Sequence, residues 1–218
     1  MNKKGFIFDL DGVIVDTAKY HYLAWRKLAE SIGVSFTEKE NEQLKGVSRI
    51  KSLEKILEWG NKTISEDDFM KLMAIKNDDY LTYINKMNKE EILPDVNRVL
   101  EYLIQNEQGI ALGSASKNAR TILKKVNLIS DFNAIVDGND VEKGKPNPEV
   151  FLKAAKALGI AQEDCIVFED SVAGVQAANA ANMVSIGIGE QEILYEADYV
   201  FKNFTEMENS FLIELIKK

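Results

Sequence analysis

Two carboxylates, Asp9 and Asp11, stand two residues apart at the end of the apolar run Phe6-Ile7-Phe8, and Gly12 follows them directly. A strand sends alternate side chains to one face, so both can point to one site where the strand stops and a glycine lets the chain turn. Such a pair can do phosphoryl chemistry: one carboxylate attacks phosphorus to give an acylphosphate, and its neighbour moves a proton to or from the entering or leaving oxygen. An ordinary Asp-Gly turn after a strand is the competing reading. Further along, Ser114-Ala115-Ser116-Lys117-Asn118 brings small side chains and backbone N–H groups to the start of a helix. That is either a phosphate cradle or a Ser/Asn helix cap with a solvated lysine. Glu169-Asp170 supplies a second acidic pair at a strand end, and carboxylates gathered on neighbouring strands make an oxygen-rich site suited to Mg²⁺. Lys145, in Gly144-Lys145-Pro146, can offset that charge, although alone it reads as a loop lysine.

The elements that must position these groups alternate. Apolar strand runs are expected at Gly5 to Asp9, Ile110 to Gly113, Ala134 to Val136, Ile166 to Phe168 and Val184 to Ile188. Helices separate them: one with Pro94 in its first turn and a Val96, Leu100, Leu103 face, and one from Pro148 to Leu158 ended by Gly159. Strands alternating with helices predict an α/β fold, a Rossmann-like doubly wound parallel sheet with ligands at the carboxyl ends of its strands. Between the first and second strands the chain carries no convincing strand run. Ala24, Leu28 and Ile32 repeat at helical spacing before Gly33, and Ser65 with Asp68 suggests a capping box opening a helix with Phe69, Met73, Lys76 and Tyr80 on one line. The expected organisation is therefore a core domain of residues 1–16 and 93–218, with a small all-helical domain, residues 17–92, inserted.

The chain has 218 residues, 45% hydrophobic and 28% charged, with 3 Pro, which suits a globular protein of one or two domains. No apolar run is long enough to span a bilayer, and Met1-Asn2-Lys3-Lys4 leads straight into a strand, so a cytoplasmic protein is expected. A net charge of −8 argues against nucleic acid or an anionic membrane as the partner; positive charge for an anionic ligand must be gathered locally. The single cysteine, Cys165, has no internal disulfide partner and reads as a small residue opening a buried strand rather than a catalytic thiol.

In order and placement these motifs resemble those of the haloacid dehalogenase superfamily of phosphotransferases. Asp9-Leu10-Asp11-Gly12-Val13 matches the first motif, Ser114 the second, Lys145-Pro146 the third and Glu169-Asp170 the fourth. The resemblance implies that Asp9 is the nucleophile and Asp11 the general acid/base. It also implies that Ser114 and Lys145 bind the transferring phosphoryl group, and that Mg²⁺ is held by Asp9, the Asp11 carbonyl, Glu169 and Asp170. The helical insertion becomes a cap, with Asp16-Thr17 near one of its hinges. An acid/base at Asp11 argues against a dehalogenase, which has no leaving alcohol to protonate. No clear Schiff-base lysine in the first cap helix supports a phosphonate hydrolase. Phosphatase and mutase remain.

A mutase that handles a sugar bisphosphate needs a second anion site and must exclude water, so its cap should carry fixed positive charge. Leu44-Lys45-Gly46-Val47-Ser48-Arg49 suits that need, because Lys45 and Arg49 beside Gly46 can present a guanidinium fork to phosphate. Ser52, Lys76 and the single histidine, His21, could join them; Lys76 alone reads as part of a solvated helical face. The likeness extends to the sugar-phosphate mutases of the superfamily. It runs through Asp9 to Thr17, His21, Ala24-Trp25, Asn41 to Arg49, Lys76-Asn77-Asp78, Ser114 to Asn118 and Glu169-Asp170-Ser171. It implies that Arg49, Ser116, Lys117 and Asn118 grip the non-transferring phosphate, with Lys45, Gly46, Ser52, Lys76, Trp25 and His21 around the sugar. The loop Val141 to Gly144 and the tail beyond Gly189 follow no such pattern. A phosphorylated sugar acted on by a monomer is the expected partner; a sugar-phosphate phosphatase and a non-enzymatic phosphosugar binder are the other readings.

Overall fold

The computed structural model describes residues 3–217; Met1, Asn2 and Lys218 lie outside the described residues, so the expected lead into the first strand is visible only from Lys3. The chain enters through β1 (Gly5–Phe8), passes through α1 (Ala18–Ser31), α2 (Glu38–Glu42), α3 (Arg49–Trp59) and α4 (Glu66–Ile84), and returns in α5 (Val96–Gln105). Then come β2 (Gly109–Gly113), α6 (Ala119–Lys125), β3 (Ala134–Val136), α7 (Glu149–Leu158), β4 (Cys165–Glu169), α8 (Val172–Ala180), β5 (Val184–Ile188), β6 (Tyr199–Phe201) and α9 (Asn209–Lys217).

The strands form one six-stranded sheet in the order β3-β2-β1-β4-β5-β6, and every pairing is parallel. β1 and β4 are neighbours from which the chain winds outward in opposite directions, so a crevice opens between their carboxyl ends. Because side chains alternate, the sheet feeds two cores. Phe6, Phe8 and Phe168 face one, where Phe8 and Phe168 stack at 4.6 Å between ring centres. Ile7 and Val167 face the other, against Phe151 of α7.

The helical insertion has a core of its own, built on Trp25, Leu28, Val34, Phe36, Leu53 and Ile56, while Ala24, Tyr80 and Ile84 merge with the sheet's larger core. The line expected on α4 is present, with Lys76 and Tyr80 buried and Phe69 and Met73 half-buried. The capping box is half formed: Ser65 Oγ accepts from the Asp68 N–H at 3.2 Å, but the Asp68 carboxylate takes the Ser65 hydroxyl instead of its backbone N–H.

Three boundaries differ from expectation. Pro94 stands outside α5, because Asp95 adopts a left-handed conformation (φ 64°) and the helix starts only at Val96. Pro148 is the residue before α7 and not its first turn. The tail beyond Gly189 adds an unexpected edge strand, β6, and α9, held down by Arg98, which donates to the Phe204 and Met207 carbonyls at 2.8 Å each. No helix among the described residues is long and apolar enough to cross a membrane.

Candidate active site

Phe8 lies opposite Phe168 in the β1–β4 register, so the next residues, Asp9 just past β1 and Glu169 ending β4, are neighbours on the face of Ile7 and Val167. From the loop before α7, Lys145 places Nζ between them, 2.5 Å from Asp9 Oδ1, paired also with Glu169 Oε1 and 4.8 Å from the centre of the Phe151 ring. Burial alone would lower the Lys145 pKa, but Asp9 and Glu169 more than reverse that and hold it above the ordinary lysine range. Burial raises Asp9 to about 6, with Lys145 pulling it down and Glu169 pushing it up.

The strand argument for Asp11 fails in its premise and succeeds in its result. β1 stops at Phe8, so pleating does not align the two carboxylates; a turn does. The Asp11 N–H donates to Asp9 Oδ2 at 3.0 Å, and Asp11 Oδ1 accepts the Thr17 hydroxyl. Gly12 makes this turn with φ 80°, and a Cβ there would collide with Asp170 Oδ2. The Asp-Gly turn is real, and it is also how the site is built. Burial, then the nearby Asp9, raises Asp11 to about 7 against the pull of Lys76 and Lys145, which leaves it able to hold or release a proton near neutrality.

Asp170 lines the same cavity as Asp9 and Asp11, and burial with Glu169 and Asp9 pushes its carboxyl well above the usual range. Its carboxylate has no hydrogen-bond or salt-bridge partner among the described residues. An unpartnered carboxylate, Asp170, crowded against Asp9 is the kind of hard oxygen donor set that a divalent cation relieves. Glu169, expected as a direct metal ligand, is differently engaged: one oxygen takes Lys145, and the other accepts the Ser171 N–H at 3.0 Å and hydroxyl at 2.9 Å. Among the described residues no three His, Cys, Asp or Glu converge as a ready-made metal cage.

At the end of β2, Ser114 is buried, and its Oγ accepts the Ser116 N–H at 3.1 Å; Ser116 Oγ in turn accepts the Asn118 N–H at 3.3 Å. This ladder of turns delivers Ser116, Lys117 and Asn118 to the mouth of the crevice. Asn118 also reaches across to the insertion, donating to Asn77 Oδ1 at 3.0 Å.

From the other side come the cap groups. Lys76 is 2% exposed and no part of a solvated face. Its Nζ lies 2.9 Å from His21 Nδ1 and within 4.7 Å of the centres of the Trp25 and Tyr80 rings, so its charged head rests over aromatic faces with little water around it. Burial and the nearby Arg49 lower Lys76 to about 7, with Asp11 opposing. Burial, Lys76 and Arg49 hold His21 well below its usual value, and hence neutral. Arg49 opens α3 behind its N-cap Ser48, and Gly46 (φ 68°) packs so closely on Ser171 that a Cβ would strike Ser171 Oγ.

Core and cap enclose a cavity of about 860 Å³. The residues given a catalytic, binding or metal-ligating role from the sequence line it, except Thr17, Lys145 and Glu169, which are buried behind it. Sequence reasoning missed several contributors, among them a loop and an aromatic side chain. The loop from Val141 to Pro148 also lines the cavity, pinned by Glu149, whose carboxylate accepts the Glu142 and Lys143 N–H groups at 3.2 and 2.8 Å. Tyr80 lines it too, where helical spacing had marked only a packing position.

A family model for the haloacid dehalogenase-like hydrolases matches residues 3–182. The chain is 42% identical over 213 residues to the β-phosphoglucomutase of Bacillus subtilis (strain 168), covering 97% of this chain and 94% of that protein. It is 31% identical over 182 residues to a phosphorylated carbohydrates phosphatase of Thermotoga maritima, covering 83% and 82%. The solved structure of β-phosphoglucomutase from Clostridium difficile superposes with a TM-score of 0.95 at 41% identity, over 99% of this chain and 98% of that one.

Proposed function

Because the chain belongs to the haloacid dehalogenase-like hydrolase family, we propose from its site that it is an isomerase, a β-phosphoglucomutase that interconverts β-D-glucose 1-phosphate and glucose 6-phosphate. The observation that carries this reading is a cavity with cationic and hydrogen-bonding groups on both walls: a nucleophile held by Lys145 in the core, and Lys45, Arg49 and Lys76 in the cap. A substrate with one phosphate to transfer and another to hold needs both walls.

Asp9 carries the phosphoryl group. It donates it to O6 of β-glucose 1-phosphate, and the resulting 1,6-bisphosphate turns over in the cavity and returns its C1 phosphate to Asp9. Asp11 accepts the O6 proton on the outward step and protonates the bridging C1 oxygen on the return. Lys145 and Ser114 hold the transferring group, and catalysis is mainly positioning and charge stabilisation. Arg49, Ser116, Lys117 and Asn118 hold the second phosphate; Lys45, Gly46, Ser52, Lys76, Trp25 and His21 surround the sugar, with Leu44, Val47 and Ser48 closing the wall. Mg²⁺, drawing on Asp9, Asp170 and the Asp11 carbonyl with water and phosphate oxygens, would neutralise charge on the transferring phosphoryl group. Glu169 supports that arrangement from behind, through Lys145.

Residues 17–92 act as a cap hinged near Thr17 on the body made by residues 1–16 and 93–218, and closure excludes water. The enzyme works as a monomer in the cytoplasm, on a small phosphorylated sugar and neither nucleic acid nor membrane. The test is β-glucose 1-phosphate with Mg²⁺ and a trace of the 1,6-bisphosphate, read for glucose 6-phosphate and free phosphate together. Fast glucose 6-phosphate with little free phosphate is expected. Phosphate release without glucose 6-phosphate would make the protein a sugar-phosphate phosphatase.

A further inference from the structure

Asp137 directly follows β3 at the carboxyl end of the sheet, and it is fully buried although phosphoryl transfer between Asp9 and a sugar gives it no task. A charged side chain is seldom buried without partners, and this one has them. Arg120 of α6 stands beside it, with Nε 3.1 Å from Asp137 Oδ2. The other oxygen, Oδ1, accepts the Asn139 backbone N–H at 2.8 Å and the Asn139 side-chain amide at 2.9 Å. That same amide nitrogen donates to the Lys117 carbonyl at 3.0 Å. Both of its partners are acceptors only, so its two hydrogens are spent and the amide has one orientation.

The turn of residues 137–139 therefore holds the segment after β2 by its carbonyls. The Gly138 N–H donates to the Ser116 carbonyl at 3.3 Å, and a Cβ on Gly138 would strike the Ala115 carbonyl oxygen, so the two segments lie backbone against backbone. A trans peptide points its N–H opposite its carbonyl. With the Ser116 carbonyl on the turn, the Lys117 N–H is sent to the other side, where it makes no hydrogen bond among the described residues. The Ser116 hydroxyl accepts the Asn118 N–H and donates its own hydrogen to no described residue. Two unspent donors thus stand on a segment that lines the cavity, while the carbonyls that would repel an anion are engaged by the turn.

We propose that Asn139, oriented by Asp137, is a positioning residue for the second phosphate: by holding the Lys117 carbonyl it keeps the Lys117 N–H and the Ser116 hydroxyl aimed into the cavity as anion donors. The inference rests on the reading that Ser116, Lys117 and Asn118 receive the phosphate that is not transferred. It places the support for that grip on the turn of the neighbouring strand, away from the cap and from the reacting atoms. Asn139 is exposed, so truncating it removes hydrogen bonds and leaves the core packing intact.

The experiment compares Asn139→Ala and Asn139→Asp with wild type in the primed assay, beside the rate at which acetyl phosphate phosphorylates Asp9. Acetyl phosphate brings one phosphate only and has no use for the second site. Asn139→Ala should raise KM for β-glucose 1-phosphate about three- to tenfold, the worth of one hydrogen bond, with kcat and Asp9 phosphorylation within about twofold. Asn139→Asp should raise KM further, because its carboxylate cannot donate and sets an oxygen against the Lys117 carbonyl. An unchanged KM in both variants would overturn the proposal. So would a fall in kcat at constant KM, or an equal slowing of Asp9 phosphorylation, which would mean that the turn shapes the first phosphate site or the fold at large. If wild type releases phosphate without glucose 6-phosphate, the mutase reading fails separately. The variants are then scored on hydrolysis of β-glucose 1,6-bisphosphate beside glucose 6-phosphate: a raised KM for the bisphosphate alone supports the proposal, and equal shifts for both overturn it.

Discussion

Lys145 and Lys76 are each 2% exposed, one beneath the carboxyl end of the sheet and one inside the cap, yet their surroundings are opposite. Lys145 sits between two carboxylates and is held charged beyond its ordinary range. Lys76 has two aromatic rings, a neutral histidine and a nearby guanidinium, and its pKa falls to about 7. The lysine of the core half thus has its anions in place before any substrate arrives. The cap half holds unspent positive potential and a cation that lacks an anion, so a phosphorylated sugar completes the cap where it would only exchange partners in the core.

Two substitutions to methionine should therefore move stability in opposite directions. Lys145→Met leaves Asp9 and Glu169 buried and unpaired, and should cost about 3–5 kcal/mol along with all measurable phosphorylation of Asp9. Lys76→Met removes an unpaired buried charge and should stabilise by on the order of 2–4 kcal/mol at pH 6, while mutase turnover falls. The sign follows from linkage. With Lys76 lowered from 10.5 to about 7, the unfolded chain binds the proton more tightly than the folded one. The penalty is full below pH 7, fades as pH rises from 7 toward 10.5, and is gone above that. Urea melts of both proteins at pH 6 and pH 10 check this: the gain from Lys76→Met should shrink at the higher pH, and a gain independent of pH would show that Lys76 is not strained in its site.

Arg49→Ala tests whether the unspent cap charge is meant for a second phosphate. Loss of a charge-assisted contact is worth about 1.5–3 kcal/mol, so kcat/KM for the mutase should fall roughly 10- to 150-fold. Asp9 should still accept phosphate from a small acyl phosphate at near wild-type rate. Equal losses in both assays would move Arg49 from the second phosphate to the first.

The same contrast decided what could be read from the sequence. The core half was legible because its logic is local: an apolar strand run ends and its next residue is chemical, as at Phe8 and Asp9 or Phe168 and Glu169. Even there, β6 escaped: Tyr199-Val200-Phe201 is a three-residue edge strand half-buried throughout, whereas β3, as short and also at an edge, keeps Val136 buried. Asp11 was found for a partly mistaken reason, because a turn hydrogen bond aligns it and period-two alternation does not. In the cap, residue type does not say which way a helix faces. Lys76 read by itself as a solvated lysine, and Tyr80 as packing, because only the docking of α4 on α1 and the core encloses them. Glu149 was invisible for the same reason, as nothing local marks a glutamate that ties down the loop behind Lys145.

Two glycines probe the seam between these halves with the smallest expected effects. Gly46 takes φ 68° on the cap side, and a Cβ there meets Ser171 Oγ, the same hydroxyl that donates to Glu169. Gly46→Ala should cost about 1–2 kcal/mol for the left-handed backbone alone. It should also raise KM for the sugar phosphate, because the cap cannot seat, while Asp9 phosphorylation by a small donor is spared. Gly144, on the core side, would place a Cβ 3.5 Å from Ser48 Cβ, an ordinary van der Waals contact. Gly144→Ala should change stability by less than about 0.5 kcal/mol and turnover by less than about twofold. If Gly144→Ala proves as damaging as Gly46→Ala, the cap must approach the Val141–Pro148 loop more closely during turnover than it does at rest, and the seam would have two tight points where the present geometry has one.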